Sequence, residues 1–85
     1  MAGTLKVMLV DDHEVVRQGL RALLEAEDDI EVVAEADNGP MAVSIASARQ
    51  PDVIVMDVRM PGGSGVEACR AIRDERPDAQ VIMLT

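Results

Sequence analysis

Two short apolar runs, each ending in acid, constrain this chain more than any other feature. Val7-Met8-Leu9-Val10 stops at Asp11-Asp12, and Val53-Ile54-Val55-Met56 stops at Asp57. Runs of this length, with β-branched residues and no helical periodicity, read as strands. The unbroken apolar character of the second run predicts burial on both faces and a central place in a parallel sheet. The carboxyl ends of parallel strands lie at one end of the sheet, so Asp11, Asp12 and Asp57 are expected to crowd into one pocket.

The rest of the chain alternates in the same way. Leu5 to Val10 is a strand, and Val16, Leu20, Leu23 and Leu24 then fall at helical spacing on one face. Ile30 to Ala36 mixes apolar and acidic residues and reads as a second, less buried strand. Asn38-Gly39-Pro40 opens a helix with Pro40 in its first turn and Ala42, Ile45 and Ala46 on its inner side. After the strand Val53–Met56, Ser64-Gly65-Val66-Glu67 reads as a capping box for a helix with Ala68, Cys69 and Ile72 inward. Val81 to Leu84 is a fourth strand. Gln50-Pro51-Asp52 and Arg76-Pro77-Asp78 precede the third and fourth strands alike, each a proline stop followed by a turn. The order β-α-β-α-β-α-β implies right-handed crossovers, and so an α/β parallel sheet with helices on both faces.

Composition narrows the function. The 85 residues contain no Phe, Tyr or Trp and carry a formal charge of −8. Without aromatic platforms, and with a charge that repels phosphate backbones and anionic lipid, direct nucleic-acid or membrane contact by these residues is not expected. The single cysteine, Cys69, has no internal disulfide partner, and no apolar run approaches the ~20 residues that span a bilayer. A cytoplasmic setting is the expectation. The six methionines read as core filler, Cys69 as a small core residue, and the acidic stretch from Glu25 to Asp37 as a solvated corner.

The acid pocket carries the chemistry. Two carboxylates about 4 Å apart repel by roughly 4 kcal/mol at an effective dielectric near 20, and a third adds to this. A proton is one remedy; a hard divalent cation is a better one. Mg²⁺ takes few protein oxygens and keeps positions for water and phosphate oxygens, which leaves Asp57 free to act as a nucleophile toward phosphorus. Taken singly, Asp12 reads as a helix N-cap and Asp57 as the start of a turn; three acids on two core strands favour a site. His13 in the first helical turn reads as a capping or solvent-facing residue rather than a metal ligand.

Leu9-Val10-Asp11-Asp12-His13, the stretch from Val55 to Glu67 containing Met56-Asp57-Val58-Arg59-Met60-Pro61-Gly62-Gly63-Ser64-Gly65, and Val81-Ile82-Met83-Leu84-Thr85 together resemble the signature blocks of the bacterial response-regulator receiver domain. The resemblance spans the chain and implies a doubly wound, flavodoxin-like fold, whose known strand order is 2-1-3-4-5. It implies that Asp57 accepts a phosphoryl group from a sensor histidine kinase, that Asp12 binds Mg²⁺ directly, and that Asp11 does so through water. It further implies that Arg59 offers its backbone carbonyl to the metal and that Thr85 is the switch hydroxyl. Such a domain is not an enzyme beyond catalysing its own aspartyl phosphorylation and dephosphorylation. Glu14-Val15-Val16-Arg17-Gln18-Gly19-Leu20 is similar to the NarL/LuxR-type branch, which implies transcription control through a helix-turn-helix domain.

The chain also departs from that pattern. Receivers continue through a fourth helix, a fifth strand bearing a lysine, and a fifth helix, so residues 1–85 are expected to be a C-terminally incomplete receiver with its output domain absent. Lys6 is the only lysine, and strand rise puts its backbone roughly 16 Å from the pocket, so impaired phosphoryl transfer is expected. Gly63 stands where many receivers carry a larger apolar residue. An unpaired fourth-strand edge and an uncovered sheet face predict self-association. Two other functions compete. An aspartate-nucleophile phosphohydrolase of the haloacid-dehalogenase kind needs a second Asp where this chain has Arg59, and a nucleotide-binding module needs glycines where it has Asp11-Asp12-His13-Glu14. An isolated interaction or dimerisation module is the remaining alternative.

Overall fold

The computed structural model describes residues 3–60 and 65–84. Seven elements follow in the expected order: β1 (Leu5–Val10), α1 (Glu14–Glu25), β2 (Ile30–Ala36), α2 (Gly39–Arg49), β3 (Val53–Asp57), α3 (Gly65–Glu75) and β4 (Gln80–Leu84). The four strands form one parallel sheet in the order β2-β1-β3-β4. This is the doubly wound arrangement, with the chain reversing direction across the sheet between β1 and β3.

The sheet has two unequal faces. On one, Met8, Val10, Ile54 and Met56 meet Ala42 and Ala46 of α2 and Ala68 and Ile72 of α3, forming the larger core. On the other, Val7, Leu9 and Val32 meet Leu20 and Leu24 of α1, with Val53 and Val55 at the margin. The most deeply buried strand is therefore β1, whose last four residues are all buried. β3 is internal as expected, yet only Ile54 and Met56 are fully buried while Val53 and Val55 are half-buried. The expected burial on both faces fails because, among the described residues, α1 is the one helix on that side and lies over β1 and β2.

The same asymmetry corrects the expected inner face of α1. Leu20 and Leu24, one turn apart, reach the sheet, but Val16 is 43% and Leu23 72% exposed. No residue of α1 is fully buried. A stripe centred on Leu20 and Leu24 leaves Val16 and Leu23 at one margin of the contact, beyond the strands that α1 covers.

Local signals act as the sequence predicts at α2. Asn38 is its N-cap, accepting the Met41 N–H at 2.8 Å, and Pro40 sits in the first turn. Gln50 closes the helix in the left-handed region (φ 51°), so that the buried Pro51 can launch β3. In β2 a register shift opposite Val7/Met8 inserts Val33 without a partner. The expected Ser64–Glu67 capping box cannot be compared, since Ser64 lies outside the described residues.

Gly65 at the start of α3 permits the closest approach of a helix to the β3 end. A Cβ there would lie 2.8 Å from the Asp57 carbonyl oxygen and 3.1 Å from Val58 Cα, both of them backbone. Gly65→Ala is therefore expected to destabilise by about 1–3 kcal/mol, as overpacking does. Gly19→Ala, where nothing lies within 4 Å, is expected to stabilise α1 by about 0.5–1 kcal/mol. Urea midpoints moving in opposite directions are the check; two equal shifts contradict the contact.

Candidate metal and phosphoryl site

The strand register places the acids level. Val10 of β1 pairs with Met56 of β3, so the residues that follow them, Asp11 just past β1 and Asp57 at the last position of β3, lie side by side at the carboxyl end of the sheet. Asp11 is tied down further by its N–H, which donates to the Ala36 carbonyl of β2 at 3.0 Å.

Both strand ends then make the same local turn. Asp11 Oδ1 accepts the His13 N–H at 2.8 Å, and Asp57 Oδ1 accepts the Arg59 N–H at 2.9 Å. Such turns, in which an Asp side chain bonds its own backbone two residues on, help to orient each carboxylate locally. The Asp11 carboxylate is almost fully buried, and that of Asp12 is 26% exposed. Asp12 is not the helix cap. That position belongs to His13, whose side chain makes no capping bond.

Asp11, Asp12, His13 and Asp57 each offer one ligand atom, and the four atoms lie within 4.8 Å of one another. The expected convergence of Asp11, Asp12 and Asp57 is thus present. Arg59 is beside it through its N–H bond to Asp57. Thr85, together with Pro61, Gly62 and Gly63, lies outside the described residues.

His13 is the member that sequence reasoning set aside. Its Nδ1 lies 2.8 Å from Asp11 Oδ1, with which it makes a hydrogen bond, and 3.0 Å from Asp12 Oδ1. The spacing Asp-x-His, with the turn just described, is the signal that could have found it. The hydrogen bond to Asp11, and then the charge of Asp12, raise the imidazole pKa above its ordinary 6.5. A pKa raised on folding adds stability that is full below the unfolded value and is lost as pH rises through the folded one. With the ring 63% exposed the effect on stability is small. The direct check is an NMR titration of this single imidazole: a midpoint above 6.5 is expected, and one at or below it contradicts the contact.

A hard cation fits this donor set. Asp12 Oδ1 is buried and makes no hydrogen bond, and its one close cationic neighbour among the described residues is the exposed His13 ring at 3.0 Å, so a metal ion can satisfy it. Asp11 and Asp57 add carboxylate oxygens, the ligands that Mg²⁺ takes, while the His13 nitrogen is bonded to Asp11. Arg17 of α1 supplies a second feature the sequence reading missed. It donates through Nη1 to the Asp11 carbonyl at 2.5 Å and through Nε to Glu35 at 3.1 Å, so Glu35 belongs to an ion-pair network rather than to a solvated corner.

Comparison with known proteins agrees with this geometry. Residues 7–85 match the response regulator receiver domain family. The chain is 49% identical over 81 residues to the transcriptional regulatory protein LiaR of Bacillus subtilis, covering 95% of this chain and 38% of LiaR. It is 48% identical over 81 residues to the DNA-binding transcriptional activator DevR/DosR of Mycobacterium tuberculosis, covering 95% and 37%. The chain thus spans about two fifths of the length of these curated relatives. Among solved structures, the response regulator domain of Thermotoga maritima CheB superposes with a TM-score of 0.90 at 38% identity, covering 94% of this chain and 59% of that one. A LuxR-family two-component response regulator from Aurantimonas sp. SI85-9A1 gives 0.90 at 41% identity, covering 95% and 58%. Among the described residues no helix is long and apolar enough to cross a membrane. A family match over nearly the whole chain, joined to this strand order and to acids at these strand ends, shows that the chain belongs to the response regulator receiver domain family of two-component signal transduction.

Proposed function

We propose that Asp57 is the phosphoacceptor of this receiver and that Asp12 and Asp57, with the Arg59 backbone carbonyl and with Asp11 through water, hold Mg²⁺. Receivers of this family are generally Mg²⁺-dependent and are phosphorylated by sensor histidine kinases. The observation that supports the reading is the convergence of three carboxylates at the ends of two adjacent strands, one of which, Asp12, holds a buried oxygen that makes no hydrogen bond.

When bound, Mg²⁺ supplies positive charge to the phosphoryl oxygens and to the acids themselves. The chain's own part is nucleophilic. A carboxylate oxygen of Asp57 attacks the donor phosphorus, an O–P bond forms, and the bond from phosphorus to the donor breaks with its electron pair leaving on the donor. The Arg59 N–H fixes the carboxylate for that attack through Oδ1. Thr85 acts as the switch hydroxyl that senses the product. The chain works in the cytoplasm as a signalling module and catalyses no reaction beyond its own phosphorylation and dephosphorylation.

In this reading residues 1–85 are the receiver portion of a transcription regulator, as the names of LiaR and DevR/DosR state for those relatives. Self-association through β4 is part of the proposal. β4 is an edge strand among the described residues, and it exposes Ile82 (52%) and Leu84 (37%). Incubation with acetyl phosphate and Mg²⁺, read by intact mass, tests the acceptor chemistry. One phosphoryl adduct that disappears when a chelator removes the metal is expected; an adduct formed equally well in chelator overturns the metal's part.

A further inference from the structure

The acid cluster is held from below by a side chain that touches none of its carboxylates. The Asp11 N–H is fixed by the Ala36 carbonyl, and the Asp11 carbonyl accepts Arg17 Nη1 at 2.5 Å. That carbonyl belongs to the peptide joining Asp11 to Asp12, so a hydrogen bond to it fixes the plane from which the Asp12 side chain departs. Arg17 is itself clamped. Its Nε donates to Glu35 Oε1 at 3.1 Å, while Arg21 Nη1, one turn along α1, donates to Glu35 Oε2 at 2.6 Å. The Arg17 side chain is 16% and that of Glu35 25% exposed, so the pair is sheltered. Glu35 in β2 is in register with Leu9 of β1, two residues before Asp11.

We propose that Arg17 is a positioning residue for Mg²⁺, orienting the Asp11–Asp12 peptide through its fork between that carbonyl and Glu35. The proposal rests on the metal reading above and names which residue outside the cluster sets its geometry. Two effects of Arg17 oppose each other. Its charge, near a cation site, disfavours the metal, whereas its hydrogen bond holds Asp12 ready to ligate. Lysine separates them, because it keeps the charge but lacks the two-pronged planar donor set.

Three measurements on the wild-type chain, Arg17→Lys and Arg17→Met decide the matter: Mg²⁺ affinity by calorimetry, urea stability, and amide exchange of His13 in metal-free protein. The His13 N–H is bonded to Asp11 Oδ1 and so reports the loop without any metal. Arg17→Lys is expected to weaken Mg²⁺ binding about tenfold, in the range produced by disturbing groups behind metal ligands. It is also expected to speed His13 exchange several-fold beyond any change in global stability. Unchanged affinity in a folded Arg17→Lys protein, or His13 exchange that merely tracks global unfolding, overturns the positioning role and leaves Arg17 as a structural ion pair. Tighter binding in Arg17→Met alongside unchanged Arg17→Lys assigns the effect to charge and equally overturns it. If the wild-type chain takes up no Mg²⁺, the metal reading fails by itself, and His13 exchange still judges the hold on the loop.

Discussion

Asp57→Asn is expected to abolish the phosphoryl adduct completely while leaving the chain folded. Asparagine has nearly the shape of aspartate and keeps an oxygen that accepts the Arg59 N–H, so the turn at the end of β3 survives. It also removes one of three crowded negative charges, which relieves repulsion of roughly 4 kcal/mol per pair about 4 Å apart at an effective dielectric near 20, less where a cation is bound. A folded, equally or more stable variant without an adduct therefore isolates the chemistry. What is lost is the anionic nucleophile itself. Intact mass after acetyl phosphate and Mg²⁺, with a urea curve on the same sample, reads both halves. The comparison is best made on this chain and on one extended at its C-terminus, where faster labelling is expected. An adduct that survives the substitution refutes the acceptor assignment.

Ile54→Ala is expected to have the largest effect on stability. Ile54 is fully buried, paired with Met8 of β1 and Val81 of β4, and faces the core formed by α2 and α3. Truncating such a residue costs about 2–5 kcal/mol, because the cavity collapses only in part. A domain of this size has about 4–13 kcal/mol in total at typical stability per residue, so the variant loses a large share of it. Val55→Ala, half-buried on the thinly covered face, is expected to cost clearly less. With no aromatic side chain to fluoresce, far-UV circular dichroism during urea unfolding is the suitable probe. Equal midpoints for the two variants contradict the unequal faces of the sheet.

Apolar runs made the strands legible. β1 occupies the expected residues, β3 extends one residue further to include Asp57, and β4 begins one residue earlier at Gln80. The acid convergence was legible for the same reason, since parallel strands in register must end together. Features that depend on which helix covers which strand were not. The exposure of Val16 and Leu23 follows from where α1 crosses the sheet, and helical spacing alone marks only a possible face. Glu35 reads as one acid among many until β2 is placed beside α1, where Arg17 and Arg21 meet it. His13 looks like an ordinary N-terminal residue of a helix, and only the turn at Asp11 brings its ring into the cluster.

Calorimetric titration with Mg²⁺ decides whether these acids form a cation site. Saturable binding at one site is expected for the wild-type chain, weakened at least about tenfold in Asp12→Asn, since altering even groups behind a metal ligand costs that much. A wild-type chain that is folded and shows no saturable uptake, or one whose affinity Asp12→Asn leaves unchanged, contradicts such a site.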